Sequence, residues 1–241
     1  MRDLIVYTVT SIRYLLLKGK FRLFTSDIFS FAAWRRYRTS SKGTLDYRIP
    51  WLVFSSISFL NKWLKKEMRV FEYGSGGSTL YFASRVERVI SIEHSCEWYS
   101  YAKNAILSSG FTNIEYALVE PQLLQNASAM DCSNPVHYVS CFTEYKGYEF
   151  SSYAKAIDLY PDASFDLVVV DGRVRHSCIA HSMQKVKQHG MLLLDNADRA
   201  YYLAPFPELQ DRDKWKEISF AGHFPFGPAS VLNTTKLFIK R

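Results

Sequence analysis

Four side chains able to take a proton, accept a hydroxyl or hold a cation each close an apolar run in this chain. Glu93 ends Val89-Ile90-Ser91-Ile92, Asp171 ends Leu167-Val168-Val169-Val170, and Asp195-Asn196 follow Met191-Leu192-Leu193-Leu194. A further run, Val70-Phe71-Glu72-Tyr73, feeds the small-residue turn Gly74-Ser75-Gly76-Gly77-Ser78-Thr79. An apolar run, a glycine turn and then a helical pattern bring backbone N–H groups close to a ligand at a helix N-terminus. An acid about twenty residues further on can accept from both hydroxyls of a ribose. Together they point to a bound nucleoside. Arg173, Arg175 and Arg199 flank the later acids. A guanidinium can clamp a carboxylate or phosphate through two parallel hydrogen bonds, which favours an acidic sugar or nucleotide-sugar acceptor. The same arginines would equally neutralise Asp171, Asp195 and Asp198 in a structural network.

The glycine spacing selects among nucleosides. A dinucleotide fingerprint places a third glycine where this chain has Thr79, so that the helix can press on the strand beside a pyrophosphate. The arrangement instead resembles motif I of the class I S-adenosylmethionine-dependent methyltransferases, an acid one residue before a G-x-G turn. That resemblance implies that the loop Gly74, Ser75, Gly76, Gly77, Ser78 and Thr79 packs on the methionine part and ribose of the cofactor. Glu72 would lie beneath the loop, Glu93 would hold the ribose hydroxyls and His94 would lie against adenine. Ser78 stands where the family commonly has its third glycine. Taken alone, the loop is also consistent with a plain tight turn.

The later acids resemble those of metal-dependent O-methyltransferases of the catechol and caffeoyl-coenzyme A type. By that likeness Asp171, Asp195 and Asn196 would ligate a divalent cation such as Mg2+, which would lower the pKa of an acceptor hydroxyl. Asp171 or His176 would then remove its proton. The plainer account has Asp171 and Asp195 capping helices or bonding nearby backbone. A wider likeness runs from about Ile49 to the C-terminus. The order I-P-W, F-E-Y-G-S-G-G-S-T-L, V-I-S-I-E-H, F-D-L-V-V-V-D-G-R, L-L-L-D-N-A-D-R and T-T-K-L-F-I is similar to a group of bacterial class I methyltransferases, some described as FkbM-like or glycan-modifying.

The elements that must position these residues alternate from Arg69 onward. Strands are expected near 69–73, 88–93, 113–119, 165–171 and 190–195, and helices near 77–86, 97–109, 148–159 and 176–188. Near-continuous apolar runs such as 165–170 suit strands covered on both faces of a parallel sheet. Trp215–Phe220 and Thr235–Ile239 alternate polar and apolar around the turn-rich Gly222–Pro228, which reads as a closing strand pair. The fold class is therefore an α/β, Rossmann-like doubly wound sheet, mostly parallel with an antiparallel final strand. Residues 1–68 read as an N-terminal helical, basic and aromatic cap, and 69–241 as the cofactor-binding domain. The polar stretch 121–147 is a candidate lid. Trp98 and Tyr99 are assigned to the core face of a helix, His181 and His189 to ordinary surface or helix-end positions, and Cys178 to a buried small residue.

With 241 residues, 48% hydrophobic and 22% charged, the composition is that of a globular protein of one large domain with an appendage. Cys96, Cys132, Cys141 and Cys178 form no C-x-x-C pair, and no leader with a small-residue cleavage site is evident, so a reduced, cytoplasmic protein is expected. The net charge of +7 suits nucleic acid, an anionic membrane or an acidic substrate alike. Much of the excess falls among the aromatics of the first 38 residues. This segment is read as a cap with solvated charges, with peripheral contact to the inner membrane face as the alternative. Leu4–Leu17 is too short and too interrupted for the roughly 20 residues that span a bilayer.

The expected function is S-adenosylmethionine-dependent O-methylation of a small-molecule or saccharide acceptor. Two alternatives stand beside it. One is an RNA methyltransferase, against which the chain shows no Asn/Asp-Pro-Pro-aromatic motif and no RNA-binding module. The other is a non-catalytic nucleoside-binding scaffold on the same fold.

Overall fold

The computed structural model describes residues 1–126 and 129–241. The chain opens with helices α1 (Arg2–Ser11, continued by a π-helical turn at Ile12–Leu16), α2 (Phe21–Phe29), α3 (Phe31–Arg38), α4 (Thr44–Tyr47) and α5 (Phe54–Trp63). Alternation then begins with β1 (Arg69–Tyr73), α6 (Gly77–Ala83), β2 (Arg88–Glu93), α7 (Cys96–Ser108) and β3 (Ile114–Leu118). The short strands β4 (Gln122–Leu123) and β5 (Tyr148–Glu149) pair antiparallel and frame the 121–147 segment, of which residues 127 and 128 lie outside the described part. There follow α8 (Ser151–Ala154), β6 (Phe165–Val170), α9 (Arg175–Ser182), β7 (Val186–Leu194), β8 (Trp215–Gly222) and β9 (Asn233–Lys240).

Seven strands form one sheet in the order β3-β2-β1-β6-β7-β9-β8. The first five run parallel, while β9 inserts antiparallel between β7 and β8. The strand order reverses between β1 and β6, and a reversal opens a crevice beyond the carboxyl ends of those strands.

The period-2 alternation of the strands builds two apolar layers. Val70, Leu167, Val169, Met191 and Leu193 pack beneath Leu60 of α5 and Phe82 of α6. Phe71, Tyr73, Val168, Val170, Leu192 and Leu194 pack against Tyr153 of α8 and Ile179 of α9. Because both faces are covered, these runs could afford no polar alternation. Glu72 is the exception, buried on the α5/α6 side.

The N-terminal helices dock on the closing hairpin. Asp27 of α2 takes the Ser11 hydroxyl on Oδ2 at 2.6 Å and the His223 backbone N–H on Oδ1 at 2.6 Å. The His223 ring places Nδ1 2.8 Å from Asp27 Oδ2 and Nε2 2.9 Å from the Ala229 carbonyl, under the Tyr7 ring at 3.5 Å. Trp34 adds an indole N–H bond to the Gly227 carbonyl at 2.8 Å. Gly77 completes the joint, since any Cβ there would overlap the carbonyl oxygens of Thr44 and Ile49.

Three expectations need correction. The helix expected over 176–188 stops at Ser182, because Val186 pairs with Phe165 and draws Lys187–His189 into β7. The helix expected over 148–159 divides into β5, α8 and a 3₁₀ segment at Lys155–Leu159. The reading of four reduced cysteines also changes: Cys132 and Cys141 form a disulfide within the 121–147 segment, leaving Cys96 and Cys178 free. Among the described residues no helix is long and apolar enough to cross a membrane.

Candidate functional site

A cavity of about 610 Å³ lies at the carboxyl ends of β1, β2, β6 and β7. Its walls bring together Gly74–Ser78, Glu93, His94, Asp171, Arg173, Arg175, Asp195 and Asn196. Parallel pairing accounts for this convergence, because strands that run the same way end on the same side. Glu72 and Thr79 are buried behind the wall rather than in it.

The glycine turn is held from beneath. Gly74 adopts φ +87°, and a Cβ there would come within 2.9 Å of the Gly172 backbone, so the two strand-end loops can approach only without side chains. The backbone N–H groups of Gly74, Ser75 and Gly76 are already engaged inside the protein. Gly74 donates to the Ile92 carbonyl at 2.9 Å, Ser75 to Glu93 Oε2 at 3.0 Å and Gly76 to the Thr79 hydroxyl at 3.1 Å. Thr79 passes its own proton to Glu72 Oε2 at 2.6 Å, and Ser91 donates to the same oxygen at 2.8 Å. Glu72 Oε1 has no partner. Burial pushes this carboxyl up to about 7, against the pull of its hydroxyl donors.

Glu93 has the opposite environment. Its Oε2 accepts the Ser75 N–H and hydroxyl, and its Oε1 accepts the N–H groups of His94 and Ser95 at 2.8 and 2.9 Å. The His94 ring adds Nδ1 at 2.8 Å from Oε1. Burial alone would raise this carboxyl, but His94 and the N–H donors outweigh it and hold it at about 2. The Ser75 hydroxyl also lies 2.7 Å from the Tyr116 hydroxyl. Rotation toward Tyr116 would free a lone pair of Glu93 for a ligand hydroxyl.

Arg175 decides the character of the far wall. The residue is 6% exposed and its guanidinium lies between the two aspartates, Nη2 at 2.9 Å from Asp171 Oδ1 and Nη1 at 4.0 Å from Asp195 Oδ2. It also donates to the carbonyls of Gly172 at 3.1 Å, Asp171 at 3.2 Å and Asp195. Asp195 is filled from the other side by the Thr235 hydroxyl at 2.7 Å and Asn233 Nδ2 at 2.9 Å, while Asn196 donates its amide to Asn233 Oδ1 at 2.8 Å. Burial drives Asp171 and Asp195 upward and Arg175 pulls them back.

This donor set does not fit Mg2+. The expected ligands Asp171, Asp195 and Asn196 face an internal guanidinium and the amide and hydroxyl of β9. Among the described residues, moreover, no three His, Cys, Asp or Glu side chains cluster as a metal site. Arg175 is likewise saturated by the protein's own oxygens, so it is not free to clamp a substrate.

Two more expected residues fall outside the cavity. His176 points into the protein, 1% exposed and stacked on Tyr202, and burial lowers it to about 4 with both ring nitrogens unpartnered. Arg199 donates to the Tyr202 hydroxyl at 2.9 Å and lies over Phe142. Of the three expected arginines, Arg173 lines the cavity with bonding capacity to spare. Its Nη2 reaches Glu144 at 3.1 Å, and its buried Nε has no partner.

Several lining residues escaped the sequence reading. Trp98 was assigned to a helix core face, yet it is 36% exposed, borders the cavity and donates its indole N–H to the Ser75 carbonyl at 2.9 Å. Trp51, Phe224 and Tyr145 also border it, with Tyr145 placing its hydroxyl 2.9 Å from His94 Nε2. The N-x-T spacing of Asn233 and Thr235, which sends both side chains to one face of a strand, was the available signal for the partners of Asp195.

The sequence matches no protein-family model and no curated protein. Solved structures do superpose on it. One is an rRNA methylase from Streptococcus thermophilus, with TM-score 0.51 and 13% identity over 77% of this chain and 94% of that one. Another is a candidate methyltransferase from Streptococcus mutans in complex with SAH, with TM-score 0.52 and 10% identity over 84% of this chain and 100% of that one. The fold is that of the class I methyltransferases. The mostly parallel sheet with its antiparallel final strand β9 agrees with the fold class expected from the sequence. At these identities the likeness is one of fold, and the chemistry rests on the cavity itself.

Proposed function

We propose that this chain is an S-adenosylmethionine-dependent methyltransferase that methylates a hydroxyl oxygen of a small or saccharide acceptor without help from a metal. The observation that carries this reading is the pairing of an ionised Glu93 with a glycine turn whose N–H groups at positions 74, 75 and 76 bond within the protein. A pyrophosphate would call on those N–H groups, whereas the ribose hydroxyls of a sulfonium nucleoside call on the carboxylate and its alkyl chain on the Cβ-free surface.

The residues present fit such a cofactor. Glu93 would accept its ribose hydroxyls, Gly74 and Gly76 would lie against its chain, and His94 and Trp98 would border its base. When bound, the cofactor supplies an electrophilic methyl group on a positively charged sulfur. Asp171 stands at the cavity wall with its carboxyl raised to about 8 by burial, so its ionised form, which gains population as pH rises toward that value, is basic enough to take a proton from an acceptor hydroxyl. Arg175 steadies the carboxylate once it is ionised. Trp51 and Phe224 offer aromatic faces to the apolar side of a sugar ring, and the guanidinium of Arg173 at the cavity wall offers charge to an acidic group on it.

Isothermal titration with S-adenosylhomocysteine tests the cofactor. Micromolar binding that weakens in Glu93→Gln is expected, and absence of heat would reject the reading. Incubation of the protein with methyl-labelled cofactor and fractionated cell extract, followed by mass spectrometry, identifies the acceptor. Asp171→Asn should bind S-adenosylhomocysteine normally and transfer no label.

A further inference from the structure

The first helix turns its more apolar face to solvent. Inward it directs Tyr7, Thr10, Ser11 and Leu15. Outward come Met1, Leu4, Ile5 and Val9, with Leu4 at 47%, Ile5 at 57% and Val9 at 56% exposure, while Ile12 and Leu16 are half-buried. A helix that only capped the sheet would carry the reverse pattern. The turn into α2 repeats the theme, because Leu17 and Phe21 project at 77% and 63% exposure on either side of Lys18-Gly19-Lys20. Eight of the sixteen large exposed apolar side chains among the described residues fall within the first 29 positions, where an even spread would put only about two.

Charge identifies the occupant. Arg2, Arg13, Lys18, Lys20 and Arg22 are exposed on the same segment, whereas its acids are Asp3, which is exposed, and Asp27, which is buried against His223. A second copy of the chain would set this basic surface against itself, at a cost in repulsion. An anionic surface with an apolar interior satisfies both features at once. We propose that the outward face of α1 and the Leu17–Phe21 turn dock the protein on an anionic lipid bilayer. The apolar side chains would sink to the level of the acyl chains and the bases would rest among the headgroups. The surface is separate from the cavity, so this inference does not rest on the cofactor reading.

Vesicle flotation with the full chain tests it. Binding to phosphatidylcholine vesicles containing phosphatidylserine is expected, weakening as salt rises and nearly absent on phosphatidylcholine alone. Each base near the surface contributes roughly fivefold to partitioning, so Lys18→Gln/Lys20→Gln/Arg22→Gln should lower binding about 100-fold. Ile5→Glu/Val9→Glu, at exposed positions that leave the core untouched, should abolish it while the circular dichroism melting curve stays unchanged. No flotation on anionic vesicles at low salt would overturn the proposal, as would flotation indifferent to both variants. A dimer in sedimentation velocity that Ile5→Glu/Val9→Glu dissociates would also overturn it, by assigning the face to a second copy.

Discussion

Replacing Glu93 by Gln keeps the shape of the side chain and removes its charge. The carboxylate accepts four donors, the N–H and hydroxyl of Ser75 and the N–H groups of His94 and Ser95. An amide has one accepting oxygen and would turn its NH₂ on a pair of those donors. The displacement of the carboxyl from 4.5 to about 2, at ~1.4 kcal/mol per pH unit, favours the ionised form by about 3 kcal/mol. Two orphaned buried donors, at ~1–3 kcal/mol each, lead to a similar figure. Glu93 is 2% exposed, so solvent screens little of this. Urea unfolding at pH 7 should therefore show Glu93→Gln less stable by about 3 kcal/mol. Because the folded value lies below the unfolded one, the contribution is complete above 4.5 and is lost as pH falls toward 2. The gap between parent and variant should shrink to less than half by pH ~3. A gap under about 1 kcal/mol at pH 7, or one equal at both pH values, would refute the account of Glu93 as an ionised clamp on the glycine turn.

Arg175→Met leaves Asp171 and Asp195 facing each other without their cation and should cost about 3–5 kcal/mol in thermal unfolding. For the same reason chelator should leave turnover unchanged, and titration with Mg2+ should produce no heat. His176 is held neutral, with its value lowered from 6.5 to about 4, so the unfolded chain binds the extra proton between those values and stability falls as pH drops through that window. His176→Phe, which keeps the stack on Tyr202, should flatten this part of the stability profile measured by urea midpoints. Reduction of the Cys132–Cys141 bridge, or its removal by Cys132→Ser/Cys141→Ser, should lower stability by about 2–3 kcal/mol, from the closure of so short a loop. Proteolysis within 121–147 should then quicken, and a nicking rate equal in both redox states would contradict that role.

Much of the site was legible because its signals are local. Gly74 must adopt a left-handed conformation and approach Gly172, and glycine at both positions records that need. Glu93, Asp171 and Asp195 could be assigned to one crevice because parallel strands deliver their ends together. Local pattern misled where pairing overrode it. Val186–His189 carries no strand alternation, yet the Phe165 partnership makes it a strand. Trp98 sits at a helix position suited to burial, yet the Ser75 carbonyl draws its indole to the cavity. The disulfide gave no signal, since two cysteines nine residues apart match no familiar framework.

From the sequence by itself came the order of strands and helices, the glycine turn and the placement of carboxylates after apolar runs, all set by periodicity and backbone freedom over a few residues. Only the tertiary structure decided what those carboxylates face. Asp195 meets Asn233 and Thr235 because antiparallel β9 pairs with β7 in one particular register, and it meets Arg175 because α9 begins beside the end of β6. A shift of one residue in that pairing would send Asn233 and Thr235 to the other side of the sheet. Whether an acid in this crevice binds a metal, a substrate or its own arginine is therefore settled across the sheet, at distances of 20 to 40 residues along the chain.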